Sequence, residues 1–135
     1  MPPSYQLHTS AVVLAVLFAL QSPASNAEPI GKTTFVKPDA EVNTQTLAPG
    51  SEVNLNDTVR TGNVGVADLK FIDDSNLSVG PTSVIRLDKF VYDPNKSTGS
   101  VVFEATRGAF RFVTGPQSKG NYQIKTPYGT LGIRG

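Results

Sequence analysis

The sequence predicts an all-β fold: short antiparallel strands arranged as a sandwich, roll or solenoid. Three observations point there. Apolar and polar residues alternate over short runs, the period of a half-buried strand. Turn-forming residues interrupt those runs roughly every 8 to 12 positions. Beyond residue 27 no window carries the helical period.

The pattern is clearest from Val64 to Tyr92, which reads as three strands joined by two tight turns. Ala67, Leu69 and Phe71 fall on one side, with Asp68 and Lys70 on the other. Asp73-Asp74-Ser75-Asn76 can bond its own backbone and tolerates left-handed φ, so the chain turns there. Leu77 and Val79 alternate with Ser78, Gly80-Pro81 punctuates, and Ile85 and Leu87 alternate with Arg86 and Asp88. Ahead of this stretch, Thr34-Phe35-Val36 is expected as a strand turned by Pro38-Asp39-Ala40. Val42–Leu47 is expected as a threonine-rich strand. Ala48-Pro49-Gly50-Ser51 has turn chemistry, and Leu55–Thr61 is expected as the next strand. Behind it, Asp93–Ser100 is expected as a polar loop, followed by strands at Val101–Ala105, Ala109–Val113 and Tyr122–Thr126. The last segment, Tyr128 to Gly135, is glycine-spaced and apolar and stops in a strand-like run, so the natural chain is expected to continue past Gly135.

Residues 1–27 read as a secretory signal peptide. Ala11 to Leu20 is an unbroken apolar run, too short to cross a hydrocarbon core of about 30 Å as a helix. Ser25 and Ala27 occupy the small-residue positions ahead of a cut after Ala27. The leader departs from the usual pattern in lacking Lys and Arg, and with no cysteine it has no lipid-anchor site. Residues 28–135 are then expected as one periplasmic or secreted β domain with no membrane span. A chain of that size buries roughly 60% or more of its unfolded surface.

The formal net charge is +1, which gives no reason to expect nucleic acid or an anionic membrane as partner. The distribution is uneven, however. No acid follows Glu104, while Arg107, Arg111, Lys119, Lys125 and Arg134 do, and these five form the candidate interaction surface. Cysteine is absent and the one histidine, His8, lies in the leader. Residues 28–135 therefore cannot assemble a Ser-His-Asp or Cys-His arrangement, nor a zinc site of ordinary ligands. No cofactor, no metal and no enzymatic activity are expected.

Other constellations have plainer readings. Asp68, Asp73 and Asp74 offer calcium-type oxygens, but no calcium-loop spacing surrounds them and a polar turn accounts for them better. Asp57 and Asp74 could be imagined as a glycosidase pair, though tryptophan, the usual sugar platform, is absent. Gly129, Gly132 and Gly135 are three apart, unlike a nucleotide-binding loop, and suit close backbone approach. Arg107 and Arg111 alternating with Phe110 and Phe112 place aromatics inward and guanidiniums outward.

Several stretches together resemble the FecR-type domain, the periplasmic part of iron-dicitrate-type sensors. They are Leu-Asn-Asp-Thr-Val-Arg-Thr-Gly at 55–62, Ala-Asp-Leu-Lys-Phe-Ile-Asp-Asp-Ser-Asn-Leu at 67–77, Gly-Pro-Thr-Ser at 80–83, Thr-Arg-Gly-Ala-Phe-Arg-Phe at 106–112 and Lys-Thr-Pro-Tyr-Gly-Thr-Leu-Gly-Ile-Arg-Gly at 125–135. The resemblance covers about residues 30 to 135. It implies a twisted solenoid-like β motif and a protein-interaction role in envelope signalling. The sensor's cytoplasmic and membrane segments have no counterpart here, so inward signalling and iron regulation are not implied. The expectation is a non-catalytic envelope module that binds an envelope protein or polymer. The alternatives are the N-terminal structural or adhesive unit of a longer surface protein and, more remotely, a carboxylate-only hydrolase.

Overall fold

The computed structural model describes residues 28–95, 98–116 and 121–134, and all regular structure in them is β. The expected leader, residues 1–27, lies outside the described residues. Among those described, no helix is long and apolar enough to cross a membrane.

The strands are β1 Gly31–Lys37, β2 Ala40–Val42, β3 Gln45–Thr46, β4 Glu52–Val53, β5 Thr58–Thr61, β6 Val66–Phe71, β7 Asn76–Val79, β8 Val84–Asp93, β9 Thr98–Arg107, β10 Phe110–Val113, β11 Asn121–Thr126 and β12 Gly129–Arg134. They form two sheets. One has five strands in the order β10-β7-β6-β1-β4, the other seven in the order β12-β11-β9-β8-β5-β2-β3.

The alternation seen in the sequence is what holds the sheets together. Ala67, Leu69, Phe71, Leu77 and Val79 of the smaller sheet are buried, as are Ile85, Leu87, Val101, Phe103 and Ala105 of the larger. All belong to one shared core. Aromatic rings bridge the layers: Phe71 stacks on Phe103 with centroids 5.2 Å apart and on Phe90 at 5.5 Å. Phe112 then meets Phe103 edge-on at 5.6 Å and Tyr122 at 5.0 Å. Offset and edge contacts of this kind contribute about 0.5–1.5 kcal/mol each beyond the area they bury.

Among the described residues, pairing is antiparallel with one exception. β9 and β11 run parallel, Val101 opposite Tyr122 and Phe103 opposite Ile124. The cause is β10, which leaves the larger sheet to pair with β7 (Phe110 opposite Val79) before the chain returns as β11. A strand that detours through the other layer comes back in its original direction.

Three local expectations are corrected. Val42–Leu47 is a hairpin and not one strand: Asn43 and Thr44 turn it at φ 47 and 75. Positive φ at both central positions matches the sheet's right-handed twist. A β-branched threonine resists that conformation, so tertiary contacts must hold it. Asn43 supplies them, donating from Nδ2 to Asp57 Oδ1 at 2.6 Å and accepting from the Thr58 amide at 2.9 Å. The strand expected from Leu55 begins only at Thr58, because Asn54–Asp57 is a turn closed by the Asn54 amide donating to Asp57 Oδ2 at 2.7 Å, with Asn56 at φ 68. Of the loop expected at Asp93–Ser100, Asp93 and Thr98 to Ser100 are strand, with Asp93 opposite Thr98 and Val91 opposite Ser100, while residues 96–97 lie outside the described residues. Pairing there continues past the end of the buried face, so polar composition misreads it.

Candidate interaction edge

The five cations singled out by charge do not share one face. Arg107 ends β9 and is exposed; with Arg60, Asp39 and Glu41 it lines a cleft of about 450 Å³ that also touches buried Ala40 and Leu47. Arg111 sits in mid-β10, exposed on the smaller sheet, opposite Ser78. Lys125 is exposed on β11, between Glu104 of β9 and Thr130 of β12. Arg134 is the last residue of β12, opposite Asn121. Lys119 lies outside the described residues. Lys125 and Arg134 are therefore brought onto adjacent strands, and Arg111 is placed in the other sheet.

Glu104 is already engaged. Arg86 Nη2 donates to Glu104 Oε2 at 2.6 Å and to Asp88 Oδ1 at 2.7 Å on the exposed face of the larger sheet. The hydrogen bond to Glu104, then the charges of Asp88 and Glu104, raise the Arg86 guanidinium above its ordinary range. An arginine is charged at any working pH, so this row orders side chains without acting as a switch.

The carboxylates considered as ligands have other occupations. Asp73 is buried. It accepts from the Ser75 amide at 3.0 Å and from the Ser75 hydroxyl, and its other oxygen takes the Tyr122 hydroxyl at 2.7 Å. The turn between β6 and β7 is thus tied to β11 in the opposite sheet. Asp74 is exposed beside Lys70 at 3.8 Å, and Asp57 caps the Asn54 turn. Among the described residues, no three metal-ligating side chains gather. Tyr122→Phe removes a hydrogen bond and leaves the buried Asp73 Oδ2 without that donor, so it should lower stability by about 2 kcal/mol. Urea unfolding followed by circular dichroism measures this; a loss below about 0.5 kcal/mol would mean the hydroxyl contributes nothing across the sheets.

Gly80–Ser83 and Arg107–Ala109, two of the most recognisable stretches, meet each other. Ser83 is fully buried; its amide donates to Thr61 Oγ1 at 2.9 Å and its hydroxyl accepts from the Ala109 amide at 3.1 Å. Gly80 donates to the Ala109 carbonyl at 2.8 Å. These motifs join β5, β8, β9 and β10 at one corner.

What sequence reading missed is an edge. A strand at the end of a sheet offers unpaired N–H and C=O groups, and native proteins usually blunt such edges. Here β3 and β4 are two residues long, and β10 carries Arg111 at mid-strand. β12 differs: six residues, no proline, no bulge in its pairing with β11, and its one charge at the far end. Among the described residues, no strand pairs with its other flank. Leu131 shares the inward side with Ile124 and is nevertheless 61% exposed, and Tyr128 in the preceding turn is 100% exposed. The signal available in the sequence was the run Tyr128 to Ile133 itself, apolar and uncharged in a segment otherwise rich in cations.

Comparison with known proteins agrees with the motifs. The FecR protein family matches residues 57–135. No curated protein and no solved structure is matched. The match spans more than half of the chain and takes in the Ser83–Gly108 corner and the β12 edge, and on it the protein belongs to the FecR family.

Proposed function

We propose that this protein is an exported, non-catalytic binding module of the bacterial cell envelope that binds another envelope protein or polymer through a sheet face or an edge strand. Residues 1–27 act as a signal peptide, and residues 28–135 work as one domain in the periplasm or outside the cell. Family membership supports the setting, since FecR proteins take part in envelope signalling. The absence of cysteine and histidine from residues 28–135 supports a role in contact without chemistry. The β9–β10–β11 detour is read as one turn of the solenoid-like winding that the resemblance implies. The observation that carries the proposal is the FecR family match over residues 57–135.

The test is a pull-down from a cell-envelope fraction with residues 28–135 as bait, in which a discrete envelope protein or polymer should be retained over bait-free resin. Mass spectrometry of the isolated protein should find Glu28 as its first residue. Finding no partner above background removes the binding reading.

A further inference from the structure

We infer that the cleft at the Arg107 end of the larger sheet binds a short zwitterionic peptide, its carboxylate held between Arg60 and Arg107 and its amino end against Asp39 and Glu41. This site is separate from the envelope partner above and far in the chain from β12. The cleft, about 450 Å³, lies across strand ends: β2 starts at Ala40, β3 stops at Thr46, β5 at Thr61 and β9 at Arg107. Clefts that take small ligands measure roughly 300–1,000 Å³. Its charges have no structural duty. Among the described residues, none of the four side chains makes an ion pair or a hydrogen bond. The next row on the same face behaves differently, with Arg86 closed on Asp88 and Glu104.

Register sets the size and polarity of the ligand. Glu41 of β2 lies opposite Arg60 of β5, Arg60 opposite Val84 of β8, and Val84 opposite Arg107 of β9. Two open guanidiniums therefore bracket one position, and paired N–H groups of this kind suit a carboxylate. Two cations beside two carboxylates favour a ligand with one charge of each sign over a plain anion. Neighbouring strands are about 4.8 Å apart, which puts Val84 about 10 Å from Glu41. A peptide of three residues spans at most roughly 10–11 Å, and a single amino acid about a third of that. The apolar wall of the cleft, Val36, Ala40 and Leu47, comes from β1, β2 and the end of β3, on the acid side. The residue that carries the amino end is thus best apolar.

The probe is the tripeptide Leu-Ala-Gly with both ends free, titrated by calorimetry into residues 28–135. Saturable binding is expected, weakening as salt rises. Arg107→Gln should weaken it about tenfold, yet cost little further against the same peptide with an amidated carboxyl end. Glu41→Gln should likewise cost about tenfold, and little further against a peptide with an acetylated amino end. Both side chains lack partners in the fold, so the unfolding midpoint should stay where it is. Arg60→Gln serves in place of Arg107→Gln should the latter disturb the Ser83–Gly108 corner. Arg111→Gln, in the other sheet, should change nothing. No saturable heat with Leu-Ala-Gly, undiminished binding of a doubly blocked peptide, or an Arg111→Gln loss equal to that of Arg107→Gln would overturn the inference. So would binding by residues 28–135 that is absent from the natural full-length product, since the chain's own continuation would then fill the cleft.

Discussion

A chain starting at Asp57 should fail to fold, although it holds every family-matched residue. The reason lies in the smaller sheet, where β1 is interior. It pairs with β6 from Gly31 opposite Phe71 to Lys37 opposite Val66, and with β4 on its other side. Removing residues 28–56 exposes the flank of β6 and takes Ile30, Val42, Leu47 and Val53 out of the core. At about 1.5–3 kcal/mol for each buried aliphatic side chain, that loss is roughly 6–12 kcal/mol. The total stability of a domain is about 5–15 kcal/mol. Urea titration of residues 28–135 should give one sigmoidal transition, and residues 57–135 a sloping line with none. A sigmoid from the shorter fragment would show that β1 to β4 are an accessory to an independent unit.

The second large effect is expected at Gly108. Its φ is +116, which side chains rarely adopt, and a Cβ there would run into the side chain of Ser83. Ser83 has no room to withdraw. It is fully buried and bonded to Thr61, Pro81 and Ala109. Backbone strain of about 1–2 kcal/mol adds to about 1–3 kcal/mol of overpacking, so Gly108→Ala should destabilise by about 2–5 kcal/mol. For a domain of this size that lowers the melting temperature by roughly 10–20 °C. A melting temperature within a few degrees of the parent protein would mean that the corner relaxes in some way the packing does not suggest.

Much of this fold was legible before any coordinates. Val64 to Tyr92 reads correctly because each of its strands is buried on one face only, and half-burial writes itself as alternation: Leu69 in, Lys70 out, Phe71 in. The Asn43-Thr44 turn was hidden because threonine favours extended backbone, and the bonds to Asp57 and Thr58 that override it come from 14 and 15 residues away. Sheet membership was hidden too. Phe110 and Phe112 alternate just as Val101 and Phe103 do, yet the two pairs lie in different layers, and period alone carries no layer label. The site followed the same rule. Lys125 and Arg111 were visible as charges, but which of them stands near an edge depends on that assignment. Asp73 was recognised as part of a turn, while its partner Tyr122, 49 residues away, left no local trace.

The path of the chain between layers has a mechanical consequence. β1 belongs to one sheet, β2 and β3 to the other, β4 to the first again, and the polypeptide keeps crossing until β11. The two layers are laced like a boot, with no uninterrupted stretch of chain supplying either one whole. Peeling one layer from the other would mean unthreading most of the molecule, so it should yield to force or heat in one step. A single proteolytic nick in a surface connection should leave two pieces that still travel together.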